Sequence, residues 1–387
     1  MFWNRKKSAT FYPINFFTFG NRTPRLNKLQ NNFALIDIFY SIPEVYIPIT
    51  YISKKIASLE FELYLNDNLV TSNPILDILQ SPNEFDSLQE FVQKSFIYRF
   101  LTGNVYLNNI PVVGFKKVTK IVVLDSKYVK INLTNTRDIR QKQILNYEYN
   151  VDGTISTIDK ENILHFKDTN VDTVPDFWQY GKSRLLSAKY NITSIESGYS
   201  ARCSLYQHGA KHILTGKGNE YTMLTPEQSR EEQRRINNDF GLTENQEQLM
   251  LTRYPLEVTE LSKSVQELQL NEMNLADFQR ICSLYNVPTI LLNDNVQSTY
   301  NNKEQAEKDF YLNVVIPYAQ EFYDNLVYWI STLLKDNKKY TVKINMNKVY
   351  CLKDNLTQMS QRIIQELNSG IITNEEARKI LGYDNAI

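Results

Sequence analysis

Two stretches decide how this chain reads: GKSRLLSAKYNITSIESGYSARCSLYQHG (181–209) and, after an insert, SVQELQLNEMNLADFQRICSLYNVP (264–288). In the first, Leu185, Ala188, Ile192, Ile195 and Tyr199 recur at steps of three and four, the spacing that places side chains on one helical face. Gly209 and the Gly216–Gly218 turn stop that helix. In the second, Val265, Leu268, Met273, Phe278, Ile281, Leu284 and Tyr285 form a broad apolar stripe. Pro288 ends it, because the residue before a proline is pushed out of the helical region. At about 1.5 Å per residue this second rod spans roughly 35 Å. Two rods around a small insert read as struts, not as the walls of a catalytic pocket.

The insert, 209–258, carries its own start and stop signals. Thr225 is suited to cap a helix, Pro226 falls at its first position, and Gln228 sits at the reciprocal capping site. The helix that follows, PEQSREEQRRINNDFG, holds Arg230, Glu231, Glu232, Arg234 and Arg235 and stops at Gly241. QLMLTRY and LEVTEL then read as short strands broken by Pro255. After the second strut, VPTILLNDNVQSTYNN (287–302) joins an apolar anchor, Ile290–Leu292, to a polar run. That run, Asn293, Asp294, Asn295, Val296, Gln297, Ser298 and Thr299, has neither helical nor strand period. The longest helical pattern follows, 303–334, with Pro317 inside it and a kink expected there.

Working back towards the start, EVYIPITYISKKIASLEFELYL reads as a helix packing Val45, Ile49, Ile52 and Ile56, then a strand. Asn73-Pro74 opens a short helix closed by Pro82-Asn83, and Ser87 with Glu90 forms a capping box for the next. That helix ends at Thr102-Gly103-Asn104. Residues 105–167 are strand-rich, with Asp152-Gly153 a hairpin turn between YEYNV and TISTI. Residues 1–40 hold Arg5, Lys6, Lys7, Arg22, Arg25 and Lys28 among scattered aromatics. They read either as an arm tied to a neighbouring subunit or shell protein, or as a partly ordered terminus. Towards the end, YTVKINMNKVY reads as a strand able to rejoin the earlier sheet. Two helices follow it, the last opened by Thr373 and Glu376.

The chain has 387 residues, 42% of them hydrophobic, with 43 Lys+Arg against 43 Asp+Glu. It is long enough for a sizeable core and two or three substructures. Electrical neutrality argues against a protein that grips nucleic acid by neutralising phosphates, but not against a channel along which DNA slides. Cys203, Cys282 and Cys351 are odd in number and far apart, which fits a reducing cytoplasm. No signal peptide or membrane span is read, because Asp37, Pro43, Glu44, Pro48, Lys54 and Lys55 interrupt the most apolar region.

Catalytic and metal chemistry find no footing. Gly181-Lys182-Ser183 invites a phosphate-loop reading, but Asp176 stands where the leading glycine belongs. His208 and His212 are four apart, yet Gly209 lies between them and His165 is the only other histidine. No metal site, cofactor or catalytic residue is expected.

The order of these segments resembles the portal proteins of tailed bacteriophages, of the short type found in lambdoid siphophages. The residues that carry the likeness are GKS (181–183), Val287-Pro288, TYNNKEQAEKDF (299–310), Val315–Pro317 and ITNEEARKILG (372–382). ILQSPN and FVQKSFIYRFLTGNVY upstream fit the same pattern. The resemblance implies an α+β protomer: arm 1–40, α/β wing 41–180, stem helices 181–208 and 259–287, and small α/β clip 209–258. Tunnel loop 288–302, kinked wing helix and returning strand 303–352, and helical crown 353–387 complete it. It also implies a homo-oligomeric ring of twelve at one capsid vertex of the virion, made in the host cytoplasm. Double-stranded DNA would be packaged and ejected through it, with the terminase motor, head-tail adaptor and major capsid protein as partners. On that reading Asn293, Asp294, Asn295, Gln297, Ser298 and Thr299 line the channel. Arg230, Glu231, Arg234 and Arg235 meet the motor or adaptor, and Val265, Leu268, Phe278 and Ile281 pack between subunits. The alternatives are a ring-forming head-tail connector without motor docking, or a nucleic-acid-processing enzyme.

Overall fold

The computed structural model of the chain describes residues 32–111, 119–136, 141–171, 178–208, 212–216, 227, 230, 231, 234, 256–260, 270–292, 300–336, 338–352 and 356–380. They belong to two compact units, one built from Gln30–Arg184 with Cys282–Ile387 and the other from Leu185–Ile281.

The first unit opens with α1 (Asn32–Ser41) and α2 (Pro43–Ala57), bent by 94° from each other. The expected arm over 1–40 is therefore shorter. Leu35, Ile38 and Phe39, at spacing three and four, bury one face of α1 and tie it to the folded body. On α2 the buried positions include Val45, Ile49, Ile52 and Ile56, as the periodicity requires. β1 (Phe61–Leu65) and β2 (Asn68–Leu69) precede α3 (Pro74–Gln80), whose cap is Asn73, with Oδ1 accepting from the Ile75 amide at 2.9 Å. Helix α4 (Leu88–Thr102) begins with a complete capping box. The Glu90 amide donates to Ser87 Oγ at 3.3 Å, and the Ser87 amide donates to Glu90 Oε2 at 2.9 Å.

Six antiparallel strands follow in two sheets. β3 (Asn104–Pro111) lies between β4 (Thr119–Leu124) and β8 (Ile163–Lys167); β6 (Ile144–Val151) lies between β5 (Val129–Leu133) and β7 (Thr154–Asp159). Asp152 at φ 49° and Gly153 at φ 85° make the two-residue hairpin between β6 and β7. Tyr106, Leu124, Val129, Ile131, Tyr147 and Ile163 form a shared core for both sheets.

In the second unit a short 3-10 turn, Arg184–Leu186 at the boundary, leads to α5 (Lys189–His208). β9 (His212–Gly216) pairs antiparallel with β10 (Leu256–Glu260), and α6 (Leu270–Leu284) carries the chain past the unit's last residue, Ile281. His208 closes a helix whereas His212 opens a strand, so the two share no helical face. Asn191 on α5 donates to Asp277 on α6 at 2.7 Å. The two helices also approach at Gly198, where an added Cβ would lie 2.9 Å from Asn274 Oδ1.

Back in the first unit, a 3-10 turn, Thr289–Leu291, packs against α7 (Tyr300–Phe310). A π-helical turn, Tyr311–Val315, joins α7 to α8 (Ile316–Leu333). Phe322 on α8 stacks on Phe166 at 5.0 Å and Tyr323 on Phe61 at 4.4 Å, binding this helix to strand and sheet alike. β11 (Tyr340–Ile344) pairs with β1, Phe61 opposite Ile344, so the returning strand completes the β11-β1-β2 sheet and not the sheets of residues 104–167. α9 (Leu356–Asn368) and α10 (Asn374–Ile380) end the described chain, the latter with the Thr373–Glu376 capping box in place.

Candidate functional site

A dense polar constellation lies where the chain leaves the first unit. Gly103 ends α4 at φ +76°, a left-handed conformation that favours glycine, and a Cβ there would run into the Lys182 backbone. A Cβ on Gly181 would in turn overlap the Gly103 carbonyl. Two backbone segments thus touch through their glycines, and Asn104 locks them. Its Oδ1 accepts the Gly181 amide at 2.6 Å, while Nδ2 donates to the Gly181 carbonyl at 2.9 Å and the Thr102 carbonyl at 3.1 Å. Ser183 Oγ adds a bond to the Leu101 carbonyl at 2.6 Å. The GKS triplet is spent on packing a joint, which removes it from phosphate chemistry.

Charge is concentrated beside this clamp. Buried Asp168 accepts from Arg184 Nε at 2.8 Å and Arg99 Nε at 3.3 Å. Arg99 also pairs with Glu321, and Arg184 donates to the Tyr318 hydroxyl at 2.6 Å. His165 Nε2 lies 3.1 Å from Asn104 Oδ1 and its ring stacks on Tyr106 at 4.3 Å. Burial, helped by the positive charge of Lys167, pushes the His165 pKa down to about 3 and keeps the imidazole neutral. Every member of this group is held by another, and none is poised as an acid, base or nucleophile. Arg99, Asp168 and Arg184 went unremarked in the sequence because nothing in their spacing links positions so far apart.

The sequence-predicted site residues distribute unevenly. Asn293, Asp294, Asn295, Gln297, Ser298 and Thr299 lie outside the described residues. What is described is the two flanking elements, the 3-10 turn with buried Leu291 and the helix α7, which pack together. Arg230, Glu231 and Arg234 are helical and exposed, and Arg235 lies outside the described residues. So do Val265 and Leu268. Phe278 is half-buried, but Ile281 is wholly buried within its own chain and belongs to the subunit's core. Pro317 falls just after the π turn, in the first turn of α8.

Among the described residues no cluster of three or more His, Cys, Asp or Glu is placed to hold a metal ion, and no single helix is long and apolar enough to cross a membrane. Burial pushes the Cys282 thiol up to about 12, away from reactivity.

The sequence pattern of the phage portal protein family matches residues 43–382. The chain belongs to this family. Its relatives include uncharacterized proteins of Rickettsia bellii (strain RML369-C) and Rickettsia felis (strain ATCC VR-1525 / URRWXCal2), 22% and 21% identical over 98% of this chain and 95% of theirs. Among solved structures, the neck of an empty GTA (gene transfer agent) particle computed with C6 symmetry aligns with TM-score 0.67 and 21% identity, covering 91% of this chain and 93% of that one. An HK97 family phage portal protein from Corynebacterium diphtheriae aligns with TM-score 0.51 and 13% identity, over 80% of this chain and 94% of that one. At these identities the likeness establishes a shared mixed helix-and-sheet fold.

Proposed function

We propose that this chain is the subunit of a portal ring, a homo-oligomeric channel at one vertex of a phage-like virion through which double-stranded DNA is packaged and ejected. The observation that carries the reading is the family match across 43–382, nearly the whole chain, with the fold likeness to particle necks beside it. Its role is structural. The polar constellation of the described residues is consumed in holding the fold, and the energy for DNA movement comes from a separate terminase motor.

Chemistry supports a passage rather than a grip. Equal numbers of basic and acidic residues leave no general attraction for phosphate, so a duplex moves without the counterion-release affinity that would hold it. The uncharged majority of Asn293–Thr299 suits the narrowest part of that passage. Exposed, charged Arg230, Glu231 and Arg234, with Arg235, suit a docking face for the motor and later the head-tail adaptor. Electron images of the purified assembly viewed down its axis test the reading. Twelve-fold rings with a central channel are expected; a monomeric particle overturns it.

A further inference from the structure

Sheet edges in the first unit are mostly closed by other parts of the chain. On β4, the Ile121 amide donates to the Pro82 carbonyl at 2.8 Å and the Ile121 carbonyl accepts from Asn83 Nδ2 at 3.0 Å. On β5, the Ile131 amide donates to the Tyr180 hydroxyl at 2.7 Å. On β11, the Val342 carbonyl accepts from Gln320 Nε2 at 2.8 Å. β2 is an edge of only two residues. β7 is different. It has six residues and pairs with β6 alone, and among the described residues nothing caps its far side.

The hairpin fixes which groups face outward. A two-residue turn at Asp152-Gly153 makes Val151 and Thr154 a hydrogen-bonded pair, after which bonded and non-bonded pairs alternate. Thr154, Ser156 and Ile158 spend their amides and carbonyls on β6, so those of Ile155 and Thr157 point away from it. Thr154–Thr157 are exposed, and Ile155 is 60% exposed. The strand TISTID carries no Lys or Pro, and its pairing with β6 shows no bulge; these are the usual guards of a free edge. Such an edge needs a strand.

The chain itself supplies a candidate in the 31 residues that precede α1. There, Ile14-Asn15-Phe16-Phe17-Thr18-Phe19 is bounded by Pro13 and Gly20, six residues long like β7, and rich in strand-forming types. No Asp or Glu occurs anywhere in 1–31, so nothing repels Asp159 at the end of β7. Twelve residues separate Phe19 from Asn32, a tether able to reach about 40 Å. We infer that Ile14–Phe19 adds to the free edge of β7 as a fourth strand of the β5-β6-β7 sheet. Main-chain hydrogen bonds from Ile155 and Thr157 supply the affinity, and the mode is strand addition. The inference does not rest on the portal reading, since the occupant is Ile14–Phe19 whether the strand comes from the same chain or from a second copy.

Two measurements test it on the full-length protein. Hydrogen–deuterium exchange is followed at β7 in the intact chain and in a variant with Ile14–Phe19 replaced by Gly-Ser, with β3 as internal control. Exchange at Ile155 and Thr157 is expected to rise about tenfold in the variant while β3 is unchanged. Thr157→Pro, which removes only an outward amide, is expected to expose 14–19 to the same degree. In a Cys203→Ser background, Phe16→Cys or Phe17→Cys paired with Ile155→Cys or Thr157→Cys should form a disulfide, because Cα atoms across a strand pair lie within its reach. A crosslink within one chain or between chains supports the assignment equally. Unchanged β7 exchange in the Gly-Ser variant, or the absence of any crosslink across all four pairs, overturns it whether or not rings form.

Discussion

Asn104 does the work of several residues: one side-chain amide satisfies the amide and carbonyl of Gly181 and the carbonyl of Thr102. Asn104→Ala leaves those buried groups without partners, each costing about 1–3 kcal/mol. The substitution is therefore expected to lower unfolding free energy by about 3 kcal/mol, measured by denaturant titration. Gly181→Ala should cost about 2–3 kcal/mol by a different route, because the added methyl forces Gly103 and Gly181 apart. Equal stability of either variant and the parent chain would show that the two segments do not need their close approach. His165 makes the same neighbourhood sensitive to acid. Its pKa is depressed in the fold to about 3 against about 6.5 when unfolded, so below pH 6.5 the unfolded chain binds a proton that the folded chain refuses. The neutral ring's contribution is thus complete above pH 6.5 and is lost progressively as pH falls towards 3. Because the ring keeps some exposure, a loss of about 1–2 kcal/mol between pH 7 and 5 is expected. His165→Gln should flatten that part of the pH–stability curve; an undiminished slope would place the acid sensitivity elsewhere.

Helices were the most legible elements, because their signals are local. The Ser87–Glu90 and Thr373–Glu376 capping boxes and the α2 stripe can each be read within a few turns of sequence, and each is present in the fold. Pro317 was legible as a disturbance but not in its form. A proline lacks an amide and its ring presses on the carbonyl four residues back, and the chain here widens into the π turn Tyr311–Val315 just before it. The sequence indicates a returning strand but not its partner, β1, and it does not indicate that Arg99 and Arg184 meet on Asp168. The same limit applies to the stripe on α6, where periodicity marks apolar residues without saying which partner covers them. Ile281 is covered by its own chain, whereas Leu275 remains 43% exposed and Phe278, one turn on, is half-buried. Ile281→Asp is expected to destabilise the subunit by at least about 3 kcal/mol, since it buries an unpaired charge. Leu275→Asp should leave thermal unfolding nearly unchanged and weaken ring assembly instead. Light scattering showing intact rings for Leu275→Asp would remove this face of α6 from the subunit contact.

At the scale of the whole molecule, a portal ring of the kind proposed must let DNA pass and yet retain it. The 3-10 turn Thr289–Leu291 packs against α7 within the first unit, so the polar run between them is flanked on both sides by packed elements. Asn, Gln, Ser and Thr touch phosphate and groove through water and weak hydrogen bonds, which are made and broken as the duplex moves. Arginines repeated around a ring would each neutralise phosphate and bind with steep salt dependence. On the proposed reading, Asp294 multiplied by symmetry would add a mild repulsion that keeps the duplex centred and fades as salt screens it over about 10 Å at 0.1 M. Replacing Asn293–Ser298 by a Gly-Ser linker of the same length should therefore leave ring assembly intact, because both flanking elements remain, while particles package less DNA or lose it after filling. Asp294→Arg should act in the opposite sense, slowing DNA passage most at low salt. DNA content per particle and its release, measured across a salt series, separate the two effects. Full and stable packaging in the Gly-Ser variant would move the constriction to another segment.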